Sequence, residues 1–313
     1  MDEEKQRDEL AALASIYNEE EFSYHTENNL YHITSKVFIN LPEKYFFTYK
    51  DTRQPGSQRE KINISHLPPV ILLITLPSDY PSVSSPKFTI RSTWLSVHSI
   101  SKLCKEFDRL WETNKNEEIL FTWIGFLQLE LLEVLNIQEC INIDSSYTAY
   151  KIKQEKIHHL EEIADVKEII NANQGKSNNS KIEEKMNVQK TYKKLEKNVS
   201  KRKVRNKRYR QLLDPRAVSD VILGKNLVQI LVDYNELRKQ IEFRKNIYSC
   251  KICFTDKLGE HCTQFTPCAH TFCKECIFHY FQNKIKEGSV LNIFCPEDKC
   301  NSEASPGQVR IFF

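Results

Sequence analysis

Eight residues between positions 250 and 300 have side chains and spacings that suit metal ions: Cys250, Cys253, Cys268, His270, Cys273, Cys276, Cys295 and Cys300. Their pattern is C-x2-C-x14-C-x-H-x2-C-x2-C-x18-C-x4-C. Thiolate and imidazole ligands suit zinc, and eight of them complete two tetrahedral sites with no open position for water or substrate. Closed sites hold a shape, so the expected role is structural rather than Lewis-acid. Cys250/Cys253 and Cys273/Cys276 each have the two-residue gap that lets two sulfurs face one ion. Within CAHTFCKEC, residues 268 to 276, a single ion taking all four ligands would need a very cramped loop. Division between two ions is the better expectation. Cys262 is left over and reads as a structural or free thiol, and His261 and His279 read as surface residues.

Only Cys104 and Cys140 precede this cluster. The N-terminus, MDEEKQRDELAALASIY, is acidic and amphipathic and lacks the pattern of an export signal. In such a chain clustered cysteines favour metal over disulfides. The longest apolar runs, such as VILLI at 70 to 74, are strand-sized, so no membrane association is expected. A cytoplasmic and/or nuclear location follows. Net charge is only +3, but residues 197 to 210, KNVSKRKVRNKRYR, are densely basic with no acid. A solvated linker or a nuclear localisation signal is the first reading of that run. Nucleic acid is the weaker one, through phosphate attraction and stacking on Tyr209.

The elements that must position these residues follow from periodicity. A helix is expected at about Glu3 to Tyr17, with Leu10, Leu13, Ile16 and Tyr17 at helical spacing. Strands are expected near Tyr31 to Asn40, Tyr45 to Thr48 and Val70 to Leu76. The prolines of PSDYPSVSSPKF, residues 77 to 88, demand a turn or extended loop. Ser99 to Glu112 and Thr122 to Leu135 read as amphipathic helices. Helix, strands, helix, helix makes an α+β domain of about 135 residues. Cys104 and Cys140 are not expected to be nucleophiles, and Trp94, Trp111 and Trp123 are expected in the core. Residues 213 to 246 regain helical spacing and lead into the cysteine-rich module.

The ligand types and spacing resemble a RING finger. That resemblance implies interleaved pairs: one zinc on Cys250, Cys253, Cys273 and Cys276, another on Cys268, His270, Cys295 and Cys300. It also implies an apolar groove for a ubiquitin-conjugating enzyme, with Ile252, Tyr280 and Pro296 at the matching positions. The wide final pair, CPEDKC, and Asn301 after the last ligand are similar to the first RING of RING-between-RING (RBR) ubiquitin ligases. Tyr80, Pro81 and Pro86 form a Y-P-x4-P signature that resembles an RWD domain, a fold of one helix, a four-stranded antiparallel sheet and two helices. The implied organisation is an RWD domain at 1–139, a charged, partly disordered linker at 140–212, a helical segment at 213–246 and a RING-type zinc finger at 247–313. By this resemblance the RING recruits a conjugating enzyme and the RWD domain takes a protein substrate or regulator. Ligases of this family pass ubiquitin to a cysteine in a second RING. Here a helix begins at Ser305 and Pro306, and the sequence reaches Phe313 with no further zinc ligands. It therefore reads as truncated, with no catalytic residue of its own. The alternative is a non-catalytic zinc-binding adaptor or a dominant-negative isoform.

Overall fold

A computed structural model describes residues 2–54, 56–155, 157–158, 213–220, 226–266, 268–289 and 293–312. The chain divides into two compact units, 1–233 and 234–313, and the division falls within a helix, Leu227–Lys245.

The first unit begins with α1 (Asp2–Ile16), continues through six strands and closes with three helices. The strands are β1 (Phe22–Glu27), β2 (Leu30–Val37), β3 (Phe46–Tyr49), β4 (Glu60–Asn63), β5 (Val70–Thr75) and β6 (Lys87–Ser92). The helices are α2 (Val97–Thr113), α3 (Leu120–Leu129) and α4 (Leu131–Val134). Strands β1, β2, β5 and β6 pair antiparallel in that spatial order. The β1–β2 hairpin turns on Asn28 and Asn29, both at positive φ, the chemistry of a two-residue primed turn. In β5 burial alternates, so Val70, Leu72 and Ile74 face the core. There they meet Leu10 and Leu13 of α1 and an aromatic cluster in which Phe107 stacks on Trp123 at 4.6 Å. Trp94, Trp111 and Trp123 and the Cys104 thiol are all buried, as the periodicity implied.

The Y-P-x4-P turn is locked to two helices by buried polar groups. Gln6 Nε2 donates to the carbonyls of Pro77 and Tyr80, at 2.8 and 2.7 Å. The Tyr80 hydroxyl donates to Glu9 Oε2 at 2.8 Å and accepts from the Ile119 N–H at 2.8 Å. Glu9 Oε1 accepts the Leu120 N–H at the start of α3, again at 2.8 Å. Prolines keep this segment out of regular structure, and side chains supply the bonds that a strand or helix would have made.

The α+β class stands, with additions. The four antiparallel strands gain a fifth, β8 (Ala217–Ser219), parallel to β6. Among the described residues the helical reading of 213 to 246 thus applies to Leu227–Lys245, while residues 213–219 form a turn and a strand. Arg216 anchors that strand, pairing with Asp108 at 2.6 Å and Asp214 at 2.7 Å and lying 4.4 Å from the Phe88 ring centroid. Nor does the ordered structure stop at 139. A strand β7 (Cys140–Asn142) pairs parallel with β3, which also pairs with β4, and a helix occupies 144–155. Ile141 and Ile143 are buried, and composition alone concealed them among charged neighbours. The rest of the linker reading, and with it the basic run at 197–210, lies outside the described residues.

The second unit is small. Two hairpins, β9 (Ile247–Ser249) with β10 (Asp256–Leu258) and β11 (Cys262–Gln264) with β12 (Thr271–Cys273), precede a helix, Lys274–Lys286. An isolated antiparallel bridge joins Phe294 to Glu303, and a short capped helix, Pro306–Arg310, follows. Its core is Phe265, Phe272, Ile277, Phe281 and Ile293, in contact with several of the cysteines. A core of this size calls for cross-links. Among the described residues no helix is long and apolar enough to cross a membrane.

Candidate metal centre

Each pair of ligands sits where the backbone is bent tightly enough to aim both at one point. The β9–β10 hairpin carries Cys250 and Cys253 at its tip. There the Phe254 N–H donates to the Cys250 carbonyl at 2.7 Å, and the Cys250 N–H to the Thr255 carbonyl at 3.0 Å. Phe254 takes the left-handed conformation, φ 58°, that closes the turn. Cys273 ends β12 and caps the next helix, whose first turn holds Cys276. The four sulfurs of Cys250, Cys253, Cys273 and Cys276 all lie within 4.8 Å of one another.

The other four ligands converge in the same way. A turn through Ala269, at φ 61°, is fixed by the Ala269 N–H to Phe265 carbonyl bond at 2.7 Å and the Phe265 N–H to His270 carbonyl bond at 2.9 Å. It presents Cys268 and His270. The loop of Cys295 and Cys300 is closed by the Cys295 N–H donating to Ser302 at 2.7 Å and the Cys300 N–H donating to Glu297 at 3.1 Å. Lys299 sits at positive φ inside it. Ligand atoms of Cys268, His270, Cys295 and Cys300 are likewise within 4.8 Å of one another.

Two separations test whether zinc fits. Zinc–sulfur bonds of about 2.3 Å give a tetrahedron with an S···S edge of about 3.8 Å, and a zinc–nitrogen bond of about 2.0 Å gives an S···N edge of about 3.5 Å. Cys253 Sγ and Cys273 Sγ are 3.8 Å apart, and Cys295 Sγ and His270 Nδ1 are 3.5 Å apart. All eight cysteines of the unit are free thiols, so disulfides do not compete for these sulfurs. The donor set therefore fits the ion.

Electrostatics differs from ligand to ligand. The Thr255 hydroxyl, 2.9 Å from Cys253 Sγ, and the Thr255 backbone hold the Cys253 thiol down at about 6. The backbone and hydroxyl of Ser302 do the same for Cys300, also to about 6. Burial pushes Cys295 up to about 12 and raises Cys276 too, with neighbouring thiols adding to the effect. Packed thiols cannot all ionise unaided; a dication at the centre would relieve this. Thr255 and Ser302 were overlooked in reading the sequence. The signal was there, because each stands two residues after its cysteine, in Cys-Phe-Thr and Cys-Asn-Ser.

Of the residues expected to form a groove, Ile252 is exposed at the tip of the first hairpin and Pro296, half-buried, follows Cys295. Tyr280, on the helix, donates its hydroxyl to the Phe294 carbonyl at 2.8 Å, beside the Cys295 loop. Cys262 is buried outside both groups, opposite Cys273 in the β11–β12 ladder, and burial raises its thiol pKa. Burial pushes the Cys104 thiol up to about 12. His261 and His279 are on the surface.

An RWD domain model matches residues 4–131. The chain is 36% identical over 310 residues to "E3 ubiquitin-protein ligase RNF14" of Danio rerio, which covers 99% of this chain and 57% of the relative. It is 32% identical over 311 residues to the Homo sapiens protein of that name, covering 99% of this chain and 58% of the relative. The match to "E3 ubiquitin-protein ligase itt1" of Schizosaccharomyces pombe is 22% over 297 residues, 95% of this chain and 49% of the relative. The chain thus spans somewhat more than half the length of the RNF14 proteins it matches. No solved structure matches it. An RWD domain thus occupies the first unit, and nearly the whole chain is similar to somewhat more than half of the RNF14 E3 ubiquitin-protein ligases.

Proposed function

We propose that this chain is the recruiting part of an RBR-type ubiquitin-protein ligase. Two structural zinc ions shape its second unit, one on Cys250, Cys253, Cys273 and Cys276, the other on Cys268, His270, Cys295 and Cys300. The resulting RING receives a ubiquitin-conjugating enzyme at Ile252, Tyr280 and Pro296. The RWD domain takes a protein substrate or regulator. The observation that carries this reading is the convergence of all eight ligands into two groups of four, with edges that suit tetrahedral zinc. Bound zinc would supply two cross-links, worth on the order of 10 kcal/mol in small zinc modules. The chain's own residues then do the recognition. Thiolate ligands need a reducing compartment, so the cytoplasm or nucleus is where such a module works.

The same geometry favours a recruiting over a transferring role for the described residues. Of the three cysteines outside the two ligand groups, Cys104 and Cys262 are buried and burial holds their thiols neutral, the reverse of an activated nucleophile, and Cys140 is half-buried in β7. An adaptor that sequesters conjugating enzymes is the second reading, and this same observation supports it.

Recruitment is tested with Ile252→Ala. Titration of a purified conjugating enzyme against the zinc-loaded chain should show at least a tenfold loss of affinity, on the order of the 1.4 kcal/mol or more expected for truncating a central apolar contact. Zinc content should stay at two ions per chain. Unchanged affinity would remove the groove from the proposal. In parallel, a conjugating enzyme loaded with ubiquitin should leave no thioester-linked ubiquitin on this chain.

A further inference from the structure

The C-x4-C gap of CPEDKC places four side chains between Cys295 and Cys300. One of them is Glu297. Its carbonyl accepts the Cys300 N–H at 3.1 Å, which fixes its backbone in the turn. Its carboxylate accepts from Lys251 Nζ at 2.8 Å. Lys251 lies between Cys250 and Ile252, at the tip of the other metal-binding loop. The pair is asymmetric. The Lys251 side chain is 62% exposed, whereas Glu297 is 17% exposed and its second oxygen, Oε2, is buried without a protein partner. A carboxylate held in this way is a fixed post against which the flexible lysine locks, and a partly desolvated charge pair is screened less than one in open water.

We propose that Lys251 and Glu297 form a tether that sets the width of the conjugating-enzyme groove, as positioning residues. This rests on the recruitment reading above. Lys251 adjoins Ile252 and Glu297 adjoins Pro296, so the ion pair spans the two loops next to the residues assigned to contact. The loops belong to different ligand groups, and no one ion would hold both tips. The Tyr280 hydroxyl to Phe294 carbonyl bond fixes the third contact residue to the same loop from the helix side. Together the two bonds fix three residues from three elements, and Tyr280 also packs against the core of the second unit. Glu297, in the loop between Cys295 and Cys300, thus supplies the anion that orients the first loop.

The test is a charge exchange. Lys251→Glu and Glu297→Lys are made singly and together in the full zinc-loaded chain, with Ile252→Ala as a reference. The probe is the purified conjugating enzyme that the unaltered chain binds most tightly. Each single reversal should weaken binding about fivefold or more, leave the ratio of two zinc ions per chain unchanged, and speed amide exchange in 250–255 and 295–300. The double exchange should recover most of the affinity and the exchange protection. Single reversals that bind as the unaltered chain, or a double exchange that fails to recover, would overturn the tether. If Ile252→Ala weakens binding while the reversals do not, the tether alone is wrong. If none of the variants changes binding, the recruitment reading fails and the tether with it.

Discussion

At the scale of single residues, ligand type and interval were enough to pick out the eight residues that converge in two groups of four, because a thiolate site needs little besides four donors and tight turns. The division of CAHTFCKEC between two ions was weighed on loop size alone, and the interleaving came from family resemblance. What composition did not reveal is how the sulfurs of Cys253 and Cys300 are tuned. Thr255 and Ser302 lower the thiols of Cys253 and Cys300 to about 6, below an ordinary cysteine. A lowered folded pKa favours the native state above the unfolded value, and that advantage is lost as pH falls through about 6. Protons compete with the metal for the same thiolates. Thr255→Val removes one hydroxyl donor while leaving the carbonyl that accepts from Cys250. Half-release of zinc on acidification, followed with a chromogenic chelator, should move to higher pH by up to about one unit, since one hydrogen bond to an ionised group is worth on the order of 1.5 kcal/mol. Loading at about pH 8 should be unchanged. A release profile that superimposes on that of the unaltered chain would remove Thr255 from ligand tuning.

Among elements, the helices could be read from their apolar period and β2, β3 and β5 from their strand-like stretches, while other strands escaped for identifiable reasons. Strand β1 is an edge strand with only Phe22 buried, and β4 is polar and mostly exposed, so neither alternates cleanly. Strand β6 starts at Lys87, directly after the prolines that mark the turn. Strand β8 exists only because it docks on β6, over 120 residues away, which no local pattern can announce. Prolines located the Y-P-x4-P turn, but they did not foretell that Glu9 would bolt it to α1 and α3. Burial raises the Glu9 carboxyl to about 7, opposed only in part by its bonds to Leu120 and Tyr80. The folded state therefore holds a proton that the unfolded chain, with an ordinary carboxyl near 4.5, releases sooner. Stability from this group is complete below about pH 4.5 and is lost as pH rises through about 7, to the extent of about 3 kcal/mol. Glu9→Gln should flatten that dependence: melting of the first unit by circular dichroism should fall between about pH 5 and 8 in the unaltered chain and much less in the variant. Equal slopes would show that Glu9 is not the group responsible.

For the molecule as a whole, the two units draw on different sources of stability, and this separates their responses. The first unit is built around a large apolar core with stacked aromatics and strands in register, and none of its described cysteines belongs to a ligand group. The second has a small core, and all eight proposed ligands lie within it. Area scaling makes a module of that size marginal on hydrophobic burial alone, whereas the ions would bring on the order of 10 kcal/mol. Chelation should therefore act selectively. On adding a strong zinc chelator, amide protection should collapse for the ladders of β9 with β10 and β11 with β12 and for the helix Lys274–Lys286. Protection of the β1, β2, β5 and β6 sheet should persist. Heating the metal-loaded chain should give two transitions, of which one disappears with chelator and returns when zinc is restored. If protection fell in both units together, or in neither, the second unit would owe its fold to something other than the eight ligands.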